Sequence, residues 1–483
     1  MQFIIRAIQF FYNLLWGDLF TIPLPGGGGI GISLLVLFLI PTGIYFTIRT
    51  KGLLVRLFPE MIRISGEKKA SPHSSALSGF QSLIVSTATR VGMGNLVGVV
   101  AAVSLGGAGA VFWMWVTAFI GSSTAYVEAT LAQLHKRKDP LYGGYQGGPA
   151  YYIHDYEEKI RKKPIKKSVL AAAFAISGLI CWFGISQVIG NSVSDAFWNA
   201  FHIPPIWTTC GLVILAAIIL ILPKATVKAL DIIVPVMAAI YFIITLIILT
   251  LNITQIPDIF RRIFAEAFGF RQAVAGGFGA VLMNGVKRGL FSNEAGSGSA
   301  PCAAAAAETD HPAKVGLLQA FGVFIDTIVI CSCTAFILLL LPEAKAEGLQ
   351  GMALLQAAMS YHLGQAGIVF IAITVFLFSF STFLGVLYYA RSNIAYLFGS
   401  NHLSQTIYKG LALIMLFIGG LAAYQTVWDL GDVGIGLMTI FNIIILYPMG
   451  KEALDSLKQY EQFRKEQRKA KKAKHAEKPA SRQ

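Results

Sequence analysis

Apolar residues in this chain run in continuous stretches of about twenty, the length that crosses the hydrocarbon core of a bilayer as a helix. Eleven such stretches are read as spans: residues 30–48, 83–105, 107–134, 169–191, 206–223, 231–252, 275–296, 314–341, 365–390, 408–425 and 427–447. Ten-residue alternation, the signature of a transmembrane β-barrel, is not the pattern. The expected fold class is therefore an all-α polytopic membrane protein with eleven transmembrane helices. The segment 253–274 reads differently, because Ile259, Phe260, Ile263 and Phe264 alternate with charges. That spacing predicts a short amphipathic helix lying on the membrane surface.

Composition sharpens the class. Of 483 residues, 55% are hydrophobic and 13% charged, and the mean hydropathy is +0.64. Soluble domains carry about 25% charged residues, so a soluble enzyme and a single-pass receptor are both excluded. The five cysteines (Cys181, Cys210, Cys302, Cys331, Cys333) form no CxxC pair, and neither a disulfide framework nor a metal cluster is expected. The first twenty residues have no basic region followed by a small-residue cleavage site, so no cleaved signal peptide is expected.

Charge sets the expected direction of the spans. Residues 49–77, 135–168 and 449–483 together carry +15, against +14 for the whole chain. Eleven crossings put all three on one face of the membrane, with Lys224, Lys228, Lys314, Arg391 and Lys409. The positive-inside rule makes that face cytoplasmic, with the N-terminus outside and the C-terminus inside a plasma membrane. Arg261, Arg262 and Arg271 are the exception, on the opposite side. The lysine-rich tail suits anionic lipid or RNA in principle, but like-charge runs are usually disordered, and a solvated topology anchor is the preferred reading.

Setting the first span aside leaves ten, which divide into two groups of five, and an odd number per group inverts the second relative to the first. The domains expected are an N-terminal segment with the extra helix (1–77), a first five-helix repeat (78–252), an inverted second repeat (253–448) and a basic cytoplasmic tail (449–483). Many of the 48 glycines suit close helix packing. Two clusters differ: STATRVGMGNLVGVV (86–100) and NGVKRGLFSNEAGSGSAP (284–301) interrupt the opening helix of each group. Broken spans at matching positions of two halves point to a secondary transporter with a site near the bilayer midplane.

The chemistry follows from what a broken helix exposes. Gly92 and Gly94 free the backbone, and Asn95 brings an amide that donates and accepts. The carbonyls of Ala88 and Val91 suit a cation, and the amides of the restarting helix suit a carboxylate. In the second cluster the break is expected over 289–298, with Phe291 walling the pocket. Lys287, Arg288 and Glu294 are expensive in lipid and must pair or face water, as a gate or as salt bridges between helices. The Phe378 carbonyl, Ser381 and Thr382 share one helix face at i, i+3 and i+4, and hard neutral oxygens of this kind suit Na⁺. Membrane-helix hydroxyls more commonly bond the carbonyl four residues back. Gln187 and Asn191 lie one turn apart, facing a substrate or bridging helices. Asp326 and Glu128 are intramembrane acids, functional in their own right or neutralising Arg90 or Arg288. The eight histidines make no HExxH, and GGPAYYI and PLPGGGGIG lack the context of a phosphate loop, so neither an enzyme nor ATP-driven transport is expected.

The two interruptions, with GGYQGGPAYYI and FLFSFSTFLGVLYYA, resemble the alanine or glycine:cation symporter family over about residues 10–450. The resemblance implies a fold of the LeuT type, with two inverted five-helix repeats and one extra N-terminal helix. It implies Na⁺-coupled, sometimes H⁺-coupled, import of a small neutral amino acid, with no organic cofactor and no nucleic-acid partner. Residue by residue, it implies that Gly92, Gly94 and Asn95 hold the substrate's charged groups and that Phe291 and Gln187 line the pocket. The Na⁺ site would use the backbone of Ala88 and Val91 with Phe378, Ser381 and Thr382. TRVGMGN departs from the family, which more often has a small hydroxyl or another apolar residue beside the glycines. Met93 and Arg90 therefore leave the preferred side-chain size open. Alanine and glycine are the expected substrates, glutamine the alternative within the family, and an ion channel the alternative from another class.

Overall fold

The computed structural model describes residues 2–23, 29–67, 77–78, 90–221, 223–268 and 277–476. An amphipathic helix, α1 (Gln2–Trp16), opens the chain. Two antiparallel strands follow, β1 (Asp18–Pro23) and β2 (Gly29–Ser33), with Phe20 opposite Ile32 and Ile22 opposite Ile30. The first apolar stretch therefore begins as a strand. Helix α2 (Leu34–Arg49) starts only where Ser33 Oγ accepts the Val36 N–H at 3.3 Å, a side-chain cap on its orphan donors. Two short helices, α3 (Leu53–Arg56) and α4 (Phe58–Ser65), precede the first glycine cluster.

The bundle proper comprises α5 (Gly94–Gly106), α6 (Gly109–Leu134), α7 (Pro149–Arg161), α8 (Val169–Phe201), α9 (Pro205–Ile221) and α10 (Pro223–Leu251). After these come α11 (Ile256–Ala267), α12 (Gly277–Asn293), the short α13 (Ala300–Ala304) and α14 (Pro312–Leu339). Then follow α15 (Glu343–Ala346), α16 (Gly351–Leu363), α17 (Gln365–Phe398), α18 (His402–Leu421) and α19 (Tyr424–Ala476). Among the described residues six helices are long and apolar enough to cross a membrane by themselves: α6, α8, α14, α17, α18 and the Thr426–Gln467 part of α19. The chain is a polytopic helical membrane protein. At the end of α10 it bends by 79° into α11, whose Ile259 and Ile263 are buried while Phe260 and Phe264 are exposed, so the amphipathic spacing does form a short helix.

Helix α8 is the hub, packed against α17, α18 and α19. Its approach to α19 is set by glycine: a Cβ on Gly434 would lie 2.3 Å from Cys181 Cα, and one on Gly184 would lie 2.5 Å from the Gly431 nitrogen. Backbones this close gain dispersion contacts that bulkier residues would hold apart, and such packing drives helix association in lipid.

The last helix corrects the reading of the tail as a solvated anchor. α19 does not stop at 447 but runs on to Ala476, and its continuation docks on the bundle. Tyr126 OH donates to the Ala453 carbonyl at 3.1 Å, and buried Tyr460 donates to Glu60 Oε1 at 2.5 Å. Arg464 pairs with Glu60 at 2.7 Å and Arg56 with Glu461 at 2.7 Å. Burial would raise the Glu60 carboxyl, but hydrogen bonds from Arg63, Tyr460 and Arg464 hold it down at about 2. Sequence alone showed a charge run. It did not show that acids at 60 and 461 meet arginines at 464 and 56 across some four hundred residues.

At the same end of the bundle His135 joins three elements. Its Nδ1 lies 2.9 Å from Asp155 Oδ2 on α7 and its Nε2 lies 2.9 Å from Glu452 Oε2 on α19, with Arg137 and Lys159 completing the ion pairs. Burial pushes the imidazolium down, but the two carboxylates outweigh it and hold His135 above its ordinary 6.5. The stabilisation is complete below 6.5 and is lost as pH rises through the raised value. Thermal stability in detergent is therefore expected to fall as pH is raised from 6 to 9, with a part of that slope absent in His135→Gln. Parallel pH profiles for the two proteins would show that the cluster contributes nothing.

Candidate functional site

The first break lies at residues 90–93. There the Gly92 N–H donates to the Arg90 carbonyl at 2.8 Å and to Asn95 Oδ1 at 2.8 Å, and the Asn95 N–H returns to the Gly92 carbonyl at 3.2 Å. The chain then restarts as a π-helical turn over Gly94–Gly98 before α5 becomes regular. Asn95 Oδ1 thus gives the Gly92 N–H a second acceptor beside the Arg90 carbonyl and fixes the turn that leads into the helix. Gly94 is needed for contact: a Cβ there would lie 3.2 Å from Ser292 Cα and 3.5 Å from the Phe291 carbonyl on α12. The two glycine-interrupted helices touch at this point.

The second break comes later than expected. Gly289 to Asn293 are helical, and α12 ends at Asn293. Gly285 and Gly289 serve helix packing instead, since a Cβ at each would fall within 2.6 Å of Ala110 or Thr117 on α6. The chain leaves the helix through Glu294, Gly296 and Gly298, with φ of 55°, 92° and 81°. Glu128 on α6 holds this segment: Oε1 accepts the Gly296 N–H at 3.2 Å, and Oε2 accepts Asn442 Nδ2 at 2.8 Å. Asn442 donates to the Gly296 carbonyl as well, at 3.0 Å, and receives the Tyr152 hydroxyl. Glu294 Oε2 accepts the Ser299 hydroxyl at 2.8 Å. Buried polar backbone at a helix break is tolerated only when satisfied in this way.

Between the breaks sits a polar cluster that sequence identified only in part. Asn95 Nδ2 lies 2.7 Å from Asp326 Oδ1, 3.1 Å from the Asp326 carbonyl, 3.3 Å from Ser292 Oγ and 3.2 Å from Cys331 Sγ. Asp326 Oδ2 accepts Ser292 Oγ at 2.9 Å and Thr327 Oγ1 at 2.6 Å. Asp326, Thr327 and Cys331 belong to a second π-helical stretch, Phe324–Cys331 in α14. Arg90 is buried; its Nη1 donates to the Gln319 carbonyl at 3.1 Å, while Nε and Nη2 have no partner among the described residues.

Of the oxygens expected for Na⁺, Thr382 Oγ1 reaches the break, while both hydroxyls also bond back to a carbonyl of their own helix. The Phe378 carbonyl accepts Ser381 Oγ at 2.8 Å and Thr382 Oγ1 at 2.9 Å, and Thr382 Oγ1 in turn accepts the Met93 N–H at 3.2 Å. Val91 is buried beside them in sequence, and Ala88 falls outside the described residues. Phe291 packs at a tilt of 49° against Trp428 with centroids 4.8 Å apart and reaches Gly94, Gly98 and Gly431. Gln187 is not brought to this cluster. Its amide donates to Met415 Sδ at 3.2 Å, on the face of α8 turned to α18, and Asn191 donates to the Ala422 carbonyl at 2.9 Å.

Lys287 and Arg288 find the same partner. Arg288 makes a two-pronged pair with Asp432 on α19, both contacts 3.0 Å, and Lys287 lies 3.2 Å from Asp432 Oδ2 and 2.6 Å from Tyr12 OH. The guanidinium lies 4.1 Å from the Trp428 ring centroid, and Trp16 Nε1 donates to the Asp432 carbonyl at 3.0 Å. The triad locks α12 to α19 and α1. Its partner is neither Glu128 nor Asp326, the two acids weighed from sequence. Asp432, in WDLGDVG, is a further acid inside a predicted span and carried the same signal.

The glycine-rich start of α5 meets α12, whose helix ends at Asn293, inside a membrane bundle with polar groups gathered at the contact, an arrangement suited to a membrane transport protein. Residues 28–475 match the sodium:alanine symporter family, and the chain belongs to that family. A probable sodium/glutamine symporter of Bacillus subtilis, GlnT, is 44% identical over 89% of this chain and 88% of its own length. The amino-acid carrier protein AlsT of the same organism is 41% identical, covering 87% and 88%. The sodium/alanine symporter AgcS of Methanococcus maripaludis is 37% identical, covering 89% and 94%. Among solved structures, a manganese transporter of Eremococcus coleocola superposes with a TM-score of 0.51 at 10% identity, over 80% of this chain and 83% of that one. That likeness speaks to the fold alone.

The triad yields a ranking of variants. Asp432→Asn strands two buried cations and is expected to cost about 3–5 kcal/mol, whereas Arg288→Met leaves a neutral Lys287–Asp432 pair and costs less. Thermal unfolding of the purified variants reads this directly. The reverse order would show that Asp432 is not the common counter-charge.

Proposed function

We propose that this protein is a Na⁺-coupled symporter that carries alanine or glycine into the cell by alternating access. The observation that carries the reading is the meeting of three elements at one point: the Gly92–Asn95 break, the Phe291–Ser292 turn of α12 and Thr382 of α17, linked by the Met93 and Asn95 hydrogen bonds. In this reading the chain crosses the plasma membrane eleven times, with ten helices in two inverted groups of five and the basic end inside. Gly92, Gly94 and Asn95 take the substrate's charged groups, with Phe291 over them. Gln187 lines the pocket only if α8 or the Gln187 side chain turns from Met415. Na⁺ lies between Ala88, Val91, Phe378, Ser381 and Thr382. Met93 N–H holds Thr382 Oγ1 at that place, and an ion entering there would take over the hydroxyl and tie α17 to the break.

The coupling has a physical basis. Inward movement of one positive charge releases about 2.3 kcal/mol per 100 mV before the Na⁺ concentration gradient is added. Na⁺ promotes substrate binding only to the extent that it favours the state in which the site is assembled. Proton coupling is the alternative for the ion, and sodium/proton-dependent alanine carriers stand among the relatives. Glutamine is the second reading for the substrate, favoured by the 44% identity to the glutamine relative. The close seating of Gly94 on Ser292 and Phe291 supports the smaller substrates.

Uptake of labelled alanine into proteoliposomes is expected to be saturable, concentrative and supported by Na⁺ in preference to K⁺, with glycine competing better than glutamine. Competition by glutamine alone would exclude the alanine reading, and uptake that never exceeds equilibrium would favour a channel. Thr382→Ala is expected to raise the Na⁺ needed for half-maximal uptake about tenfold or more. An unaltered Na⁺ curve would move the ion elsewhere.

A further inference from the structure

We propose that the basic cavity between the end of α2 and the continuation of α19 binds the headgroup of an anionic phospholipid. The cavity lies apart from the broken helices, and the proposal does not depend on which substrate or ion is carried.

The first observation is a convergence of positive charge from three segments. A cavity of about 430 Å³ is lined by Arg49 and Lys51 at the end of α2, by Arg56 on α3, and by Lys451 and Lys458 on α19. Asp455 and Glu461 are the acids on its wall, and both are already matched, Asp455 with Lys458 at 2.9 Å and Glu461 with Arg56 at 2.7 Å. Arg49, Lys51 and Lys451 are left without a carboxylate partner among the described residues. Like charges held around one hollow repel each other, and an anion between them removes that cost. Arg56 also donates from Nη2 to the Thr50 carbonyl at 2.9 Å, covering an acceptor at the helix end that would oppose an anion. Lys51 itself takes a left-handed φ of 56°, a conformation easier for glycine. A glycine there would relieve the backbone and remove the charge from the cavity.

The second observation decides the kind of anion. Helices α2 and α19 run side by side and parallel, since Thr42 meets Tyr447 and a Cβ on Gly450 would lie 2.7 Å from the Phe46 ring. Each shows the same order toward the cavity: an exposed isoleucine, then a tyrosine, then a cation one turn further on. On α2 these are Ile44, Tyr45 and Arg49, and on α19 they are Ile444, Tyr447 and Lys451. The two tyrosine rings lie 5.3 Å apart, and the Arg49 guanidinium lies 5.6 Å from the Tyr45 ring centroid. Ile48 and Val55 add exposed apolar surface beside the basic groups, and Leu454 and Leu457 line the cavity. Tyrosine marks the level of lipid headgroups, and lysine and arginine just beyond it meet their phosphates. A soluble phosphate ester would use the cations alone. An apolar strip leading to them suits acyl chains, so the occupant is a lipid, with its phosphodiester held by Arg49, Lys51 and Lys451.

Native mass spectrometry of the purified full-length protein, titrated in detergent with dioleoyl phosphatidylglycerol or dioleoyl phosphatidylcholine, tests this. The wild type is expected to hold phosphatidylglycerol about tenfold more tightly than phosphatidylcholine, and Lys51→Gln/Lys451→Gln to lose about tenfold of that affinity with phosphatidylcholine unchanged. Lys163→Gln/Lys166→Gln removes the same charge from exposed lysines outside the cavity and is expected to bind as the wild type. Equal losses in the two double variants would show diffuse attraction to a basic surface and overturn the site, as would full affinity in the Lys51/Lys451 variant. Glycerol 3-phosphate separates a lipid from a free phosphate ester. It is expected to displace phosphatidylglycerol only at about hundredfold excess or more, and displacement at equal concentration overturns the lipid assignment. If the first double variant folds poorly, Arg49→Gln decides: a loss of about threefold or more in phosphatidylglycerol affinity supports the site, and unchanged affinity overturns it.

Discussion

The structure turns on the approach of Gly94 to Ser292 and Phe291, where a Cβ would stand 3.2 Å from Ser292 Cα and the two glycine-rich helices pack tightly. Neither helix could place polar backbone here if it were continuous. The break at Arg90–Met93 frees the Gly92 N–H, and Asn95 meets it with its own Oδ1 while its Nδ2 reaches across to Asp326 and Ser292. One side chain therefore ties the first broken helix to the second and to α14. In a bilayer interior, where water does not stand in for a missing partner, that arrangement couples the shape of the break to whatever occupies the cluster.

The charged groups divide by role around that contact. Lys287, Arg288 and Asp432 form a closed triad with Trp428, Trp16 and Tyr12 packed about it, which binds α12 to α19 and α1. Glu128 and Asn442 instead hold the backbone of the second break at Gly296. Both sets satisfy the cost of charge in lipid internally. Arg90 is different, since its Nε and Nη2 stay unmatched within the described chain, beside a cluster rich in acceptors. Its position next to the first break places a positive charge in the field of Glu128, Glu294 and Asp326.

Hydropathy and glycine placement made the helical class, the amphipathic helix at 256–267 and the bend at Gly92 legible in the sequence, because each rests on local pattern. The second break opens five residues into its expected range, since Gly289 looks like a breaker in sequence and only its seating on Thr117 shows it to be a packing position. Long-range partners were not legible. Asp432 and Asp326 carried the signal of an acid in lipid, but nothing local says that one meets Lys287 and Arg288 while the other meets Asn95. Gln187 shows the converse: its place in a span suggested the pocket, and the rotation of α8 turns its amide to Met415. The tail likewise read as a charge run until α19 brought Tyr460 and Arg464 onto Glu60.

The central claim is that substrate binds where the two breaks meet. An experimentally determined structure of the protein with saturating Na⁺ and alanine tests it most directly. The account predicts the amino acid's carboxylate at the amides of Gly92–Asn95, with its side chain toward Phe291. Density for alanine elsewhere, with the Gly94–Ser292 contact closed and empty of ligand, would contradict it.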